Sequence, residues 1–373
     1  MTTEVITGCL AGAQFAFRCD APDLSDYART HLAPLVVGDT GPPAVTATVR
    51  WHDGQPPADR ALFSSELPRM ERVDRDVYAN AEMLWWFRVD DLRDLYLRFT
   101  WKNSRLEVEG DFYYRLGNSR GSDRVRRLRH WRRRHLLRQR RFTTLLYYLV
   151  YYPCWWWLEE TQDLHPIHAA GVRLDSSVVL LGGASGVGKS TLAVALATLP
   201  GASLLSDSFV LHNGVEVCAV HEPVLLNSWS RRWLGDQADD LQPIEWRYSL
   251  NRRGYHLPPD HLAPQGRCGL LLFPRRAPEV YVRRISSEQA HQRLSASDLI
   301  INDLRRYWAY AAILEQLVPG GLMARREAHI GKLAADVPCY ELGIAPDATR
   351  AVVCETIMRL LPDQRLRVVG KRQ

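Results

Sequence analysis

The chain has 373 residues, 46% hydrophobic and 24% charged, the proportions of an ordinary globular protein with room for one or two domains around a large core. Its formal net charge of +6 is concentrated in one place, because ten arginines and no acid lie between Arg124 and Arg141, leaving 38 basic residues against 42 acidic elsewhere. Seven cysteines are scattered with no pair at C-x-x-C spacing, which excludes a cysteine metal cluster or a disulfide framework and fits a reducing cytosol.

The start, Met1-Thr2-Thr3-Glu4-Val5, lacks a charged segment followed by an apolar core, so no signal peptide is indicated and a cytoplasmic location is expected. Residues 1–120 read as a β-rich accessory region of α+β type. Alternating or β-branched and aromatic runs occur at Gln14–Arg18, Ala44–Trp51, Val73–Ala79, Leu95–Trp101 and Leu106–Tyr114, between Pro, Gly, Asp and Asn clusters. Asp23 is placed to cap a short helix, and no group of His, Cys or paired acids assigns chemistry to this region.

Residues 121–163 read as connecting helices. In the arginine run 124–141, Val125, Leu128, Trp131 and His135 recur at helical intervals, giving an amphipathic helix with a strongly positive face. That face suits an acidic peptide, a polyanion or an anionic membrane surface, or else it is a solvated face paired with acids of the fold. No nucleic-acid-binding signature accompanies it, which argues against nucleic acid. The following stretch, Phe142–Leu158, is dense in Tyr and Trp, shorter than a membrane span and interrupted by Pro153. Peripheral membrane contact is one reading; the favoured one is the inner face of a helix that covers the sheet of residues 164–373 or makes a contact between copies of the chain.

Residues 164–373 carry the chemistry. A strand at His168–Leu174, a turn and the strand Val178–Gly182 form a hairpin leading into Gly183-Ala184-Ser185-Gly186-Val187-Gly188-Lys189-Ser190-Thr191. Gly183 to Ser190 matches G-x-x-x-x-G-K-[ST], with an apolar strand before it and an apolar helix after it. Glycines let successive N–H groups turn inward around phosphate oxygens, and the helix start adds the positive end of its dipole. Lys189 would neutralise the β- and γ-phosphates, and the Ser190 hydroxyl would complete a Mg²⁺ shell. Lysine is scarce here, with only Lys102, Lys189, Lys332 and Lys371, so its presence at this position is the more telling. Past the helix, Gly201–Leu211 reads as strand, turn and strand, with Asp207 placed as Mg²⁺ ligand or general base.

His168-Ala169-Ala170-Gly171, the glycine-rich loop and Leu204-Leu205-Ser206-Asp207 together resemble the kinase domain of HPr kinase/phosphorylase and its relatives, over about residues 164–361. The resemblance implies an α/β fold of the phosphoenolpyruvate-carboxykinase-like P-loop type. It also implies an ATP- and Mg²⁺-dependent kinase acting on a hydroxyl of a peptide or small metabolite, as in peptide natural-product pathways, with His168 beside the transferred phosphoryl group and Lys189 and Asp207 in catalysis. The family pattern has two aspartates after the loop; here Asp207 matches the first and Ser208 stands at the second, and the Gly-Arg-Asn signature of the phosphorylase reaction is absent. The rival class is a nucleotide-binding regulatory or scaffold protein. A homo-oligomer is expected. Further along, 217–261 reads as loop, Arg275, Arg276, Arg283 and Arg284 lie on strands where one would contact phosphate, and helices are expected over Asp298–Leu317 and Ala348–Leu361.

Overall fold

The computed structural model describes residues 4–38, 41–54, 56, 69–89, 92–114, 134–245 and 251–361, with side chains in the helix that starts at Arg134 described from Leu137 onward. Within these residues the fold is mixed α/β, in two units: one runs to Gln162 and includes Arg306–Leu322, and the other takes Asp163–Glu245, 251–305 and the chain from Met323.

The first unit is built on an eight-stranded sheet, β1 (Val5–Leu10), β2 (Ala13–Cys19), β3 (Val45–Asp53), β4 (Glu71–Asp74), β5 (Val77–Ala79), β6 (Met83–Trp86), β7 (Leu95–Lys102) and β8 (Arg105–Tyr114). Its order is β1-β2-β3-β8-β7-β6-β5-β4, with β3 parallel to both β2 and β8 and the other pairs antiparallel. Period-two burial of Val45, Ala47 and Val49, and of Leu95, Leu97 and Phe99, gives the sheet one apolar face. The run expected from Val73 to Ala79 is a hairpin, β4 turning into β5, and the sequence reading had no strand at β1 or β6. Helix α1 (Pro22–His31) starts without a side-chain cap; Asp23 sits in its first turn, and its carboxylate lies 2.6 Å from Arg138 Nε.

Helix α2 (Arg134–Leu146), a π-helical turn (Tyr147–Tyr151) and helix α3 (Tyr152–Gln162) cover this same sheet at β2, β3 and β8. Tyr148, Tyr151, Tyr152, Trp155 and Trp156 are fully buried, Trp156 lying edge-on to Trp101 with centroids 5.1 Å apart. Gly110 makes the approach of this layer feasible, since a Cβ there would stand 3.3 Å from Leu149. The aromatic run is therefore part of the core of the first unit, where the favoured expectation was a helix covering the sheet of residues 164–373 or a contact between copies. Buried Glu159 accepts a hydrogen bond from Tyr307, which lies in the returning segment of this unit. Most of the arginine run, 124–133, lies outside the described residues. Of its remainder, Arg138 stacks over Trp51 at 4.7 Å and Tyr114 at 5.3 Å, a structural use of that cation. Among the described residues no helix is long and apolar enough to cross a membrane.

The second unit is organised by β9 (His165–Ile167), β10 (Ala170–Leu174), β11 (Ser177–Leu181), helix α4 (Lys189–Ala197), β12 (Ala202–Ser206), β13 (Val210–His212) and β14 (Glu216–Ala219). Then come β15 (Val224–Leu226), helix α5 (Ser228–Leu234), β16 (Gln242–Pro243), β17 (Arg253–His256), β18 (Gln265–Arg276) and β19 (Tyr281–Arg284). Helices α6 (Ser287–Ile300) and α8 (Leu322–Asp336), strand β20 (Cys339–Ile344) and helix α9 (Arg350–Met358) follow, while helix α7 (Asn302–Leu314) belongs from Arg306 onward to the first unit. The large sheet runs β12-β10-β11-β18-β14-β13-β9, with β20 parallel to β18 and β19 at its side.

Strand β11 is buried on both faces. Val179 and Leu181 join one core with the apolar run Leu192–Ala197 of helix α4, while Val178 and Leu180 join another with Leu294 and Leu333 from α6 and α8. The expected loop over 217–261 is instead β15, β16 and β17 in a small antiparallel sheet with α5. The helix expected over Asp298–Leu317 is two: Ile301 is extended between α6 and α7, so Asp298 lies in the last turn of α6.

Candidate active site

Strand β11 runs parallel to β18 and ends with the Gly182 N–H donating to Leu272 O at 2.8 Å, so the chain leaves the sheet at a fixed point. Gly183, Gly186 and Gly188 have φ of +108°, +85° and +102°, conformations that a side chain would strain, and Lys189 opens helix α4 directly after them. A Cβ on Gly182 would stand 3.0 Å from both Leu294 and Phe273. Gly182→Ala is therefore expected to destabilise the chain by about 1–3 kcal/mol through overpacking, read as a lower midpoint in denaturant unfolding.

Lys189 folds back over the loop. Its Nζ donates to Gly183 O at 2.6 Å and to Ala184 O at 3.0 Å, and Ser297 Oγ donates to Gly183 O at 3.0 Å from helix α6. Burial lowers the Lys189 pKa to about 8, against the charges of Asp207 and Asp298, which favour its protonated form. Asp207 follows β12, which pairs with β10 beside the loop. Burial raises its pKa to about 6, opposed by hydrogen bonds from the Ser190 and Ser208 hydroxyls, the Leu225 main chain and the charge of Lys189. The Ser208 hydroxyl donates to Asp207 Oδ1 at 3.2 Å.

His168 lies between β9 and β10, not inside the single strand expected from His168 to Leu174. Its ring is 5.4 Å from that of Phe209, and among the described residues neither ring nitrogen has a hydrogen-bond partner. Burial, then the charge of Lys189, lower its pKa to about 3 despite the Ser208 main chain, so the ring is neutral near pH 7. The structure thus brings Lys189, Ser190, Asp207 and His168 to one end of the sheet. Thr191 differs: its hydroxyl turns away from the loop and donates to Ser230 Oγ at 2.7 Å, so only its main chain faces the site expected for it. Of the four strand arginines, Arg275 and Arg283 pair with buried Glu341, joined there by Arg293 of α6.

Asp298 is the residue that sequence reasoning missed. Its Oδ1 accepts the His168 main-chain N–H at 2.8 Å, its Oδ2 has no partner among the described residues, and it is buried. Burial raises its pKa from 3.8 to about 7, against the His168 N–H and the charges of Arg326 and Lys189. Between about pH 4 and 7 the folded chain therefore holds a proton here that the unfolded chain has released, so this group's stabilising contribution is lost as pH rises through that window. Asp298→Asn keeps an acceptor for His168 and removes the titration. The melting temperature of the variant relative to the parent is expected to rise between pH 5 and pH 8; a pH-independent difference would reject the assignment. The one sequence signal was an acid among the leucines and small residues of Leu294 to Leu299.

No family model matches the chain, and no curated protein matches it. Among solved structures, the Hpr(Ser) kinase/phosphatase from Coxiella burnetii is similar over 55% of this chain and 99% of its own, at 13% identity and a TM-score of 0.26. That likeness is distant, and the chemistry of this site is argued from its own residues.

Proposed function

We propose that this chain is an ATP-dependent phosphotransferase that moves the γ-phosphoryl group to a hydroxyl of a peptide or small metabolite. The observation that carries this reading is the convergence of Lys189, Ser190, Asp207 and His168 on a loop whose Gly183, Gly186 and Gly188 all have positive φ. The loop main chain and the start of α4 suit the phosphates of the nucleotide. The hydroxyl of Ser190 and the carboxylate of Asp207, hard oxygen donors within hydrogen-bonding reach of each other, fit Mg²⁺, which when bound supplies neutralisation of phosphate charge.

Lys189 places its ammonium at the base of the loop, where charge on the β- and γ-phosphates is met without reorganisation. Asp207 takes the proton of the acceptor hydroxyl as its oxygen bonds to the γ-phosphorus and the bond to the β,γ-bridging oxygen breaks, releasing ADP. His168, neutral and buried, offers a ring N–H to the phosphoryl oxygens, and Asp298 holds its main chain in place.

Purified protein incubated with γ-labelled ATP, Mg²⁺ and candidate hydroxyl acceptors tests the reading. Acceptor-dependent transfer of label is the expected result. Nucleotide binding without transfer to any acceptor would instead support a regulatory nucleotide-binding protein, and absence of nucleotide binding would overturn both.

A further inference from the structure

We propose that Asp163, His165 and His329 form a binding site for one divalent transition-metal ion of the Zn²⁺ or Co²⁺ class, separate from the glycine-rich loop and independent of the kinase reading. One ligand atom from each residue lies within 4.8 Å of the other two. The Asp163 carboxylate is the centre of the group: His165 Nε2 is 3.0 Å from its Oδ1 and His329 Nε2 is 2.7 Å from its Oδ2. The two imidazoles lie side by side, with centroids 4.7 Å apart and planes 32° from parallel, so both present the same nitrogen to the same carboxylate.

Those separations are close to what a shared ion requires. With metal–ligand bonds of about 2.1 Å, adjacent donors stand about 3.0 Å apart at right angles and about 3.4 Å apart in a tetrahedron. Each imidazole nitrogen already stands at such a distance from an Asp163 oxygen, and no two of the three donors are more than 4.8 Å apart, so side-chain torsions would draw them together around an ion. Two imidazole nitrogens and one carboxylate oxygen form a donor set suited to Zn²⁺, Co²⁺ and related ions rather than to Mg²⁺ or Ca²⁺, which prefer oxygen.

The supports for the ligands are rigid where they need to be. His165 is buried on β9, paired through β13, and His329 lies within the 15-residue helix α8. Asp163, with 48% of its side chain exposed, leaves a path for the ion and room for water in the remaining coordination positions. Its carboxyl is held below the usual carboxylate range: partial burial opposes ionisation, and the hydrogen bonds from His165 and His329 outweigh it. Arg325 Nη1 lies 3.5 Å from Asp163 Oδ1, one helical turn before His329, where it orients the carboxylate as an outer-shell donor. Its positive charge also opposes a dication, so moderate affinity is expected. The ion would tie β9 to α8 three residues before His168.

Full-length protein, stripped with a chelator and free of nucleotide, is titrated with CoCl₂ and followed by visible absorption and calorimetry. One Co²⁺ per chain is expected, with ligand-field bands from nitrogen and oxygen donors, displacement by Zn²⁺ and a raised melting temperature. Asp163→Asn and His329→Gln, both at side chains with some exposure, are each expected to weaken binding by at least about 10-fold while circular dichroism stays unchanged. Asp207→Asn is expected to leave Co²⁺ binding as it is. The proposal is overturned by the lack of a stoichiometric site at 100-fold excess Co²⁺, by binding that survives Asp163→Asn combined with His329→Gln, or by binding that is lost in Asp207→Asn instead.

Discussion

Lys189→Ala is expected to lower ATP-dependent phosphoryl transfer by about 10²–10³-fold, the range seen when one preorganised donor to a developing charge is removed. The loss has two physical sources. The ammonium is the positive charge that Asp207 and Asp298 both face, and it also ties the loop carbonyls of Gly183 and Ala184 to the start of α4. Alanine removes the charge and unties the loop together. Arginine is not expected to restore activity, because a planar guanidinium on a longer stem cannot place one point charge under both carbonyls within a space this enclosed. Nucleotide affinity by calorimetry, turnover with a responsive acceptor and a melting curve separate the effects. Turnover within threefold of the parent, in a folded variant, would remove Lys189 from the mechanism and with it the central assumption of the kinase reading.

How much of this site was legible beforehand follows from where its information lies along the chain. The loop could be read because everything that makes it is local: four buried apolar strand residues, Val178–Leu181, glycines that tolerate the required φ, and a helix at once after them whose Leu192–Ala197 is apolar. Asp207 could be read for the same reason, being one helix and one strand away. Asp298 could not, since its meaning depends on a hydrogen bond to a main-chain N–H 130 residues earlier. Nor could the use of the aromatic run, whose partners are β2, β3 and β8, far upstream. The region 217–261 misled because strands of two to four residues, interspersed with Pro and Trp, carry no periodicity of their own; only pairing of β17 with β15 and β16 makes them a sheet. The strand arginines were visible as charges, yet the partner shared by Arg275 and Arg283, Glu341, lies in β20, about 60 residues on.

Asp207→Asn is the second large effect expected, a fall of about 10²–10⁴-fold in turnover, as for loss of a positioned proton acceptor. Three buried groups stand near enough to be candidates for that proton, and burial ranks them. His168, with its pKa at about 3, is too weak a base; Asp298, at about 7, is already committed to the His168 N–H. Asp207, at about 6, is mostly ionised at neutral pH and is still basic enough to take a proton as the acceptor oxygen gains its bond to phosphorus. Asparagine keeps the shape and the hydrogen bond from Ser208 but cannot accept that proton. Should Asp207 act as base, nucleotide affinity in the presence of Mg²⁺ stays within a few fold and turnover alone collapses. Should it act chiefly by holding Mg²⁺, affinity falls with turnover and part of the loss returns at high Mg²⁺ or with Mn²⁺. Ser208→Ala provides the contrast: its hydroxyl donates one long hydrogen bond to Asp207, at 3.2 Å, so a change below about 5-fold is expected, the size of one ordinary net hydrogen bond of about 1 kcal/mol. A loss in Ser208→Ala as large as that in Asp207→Asn would place the proton acceptor elsewhere and reverse the assignment.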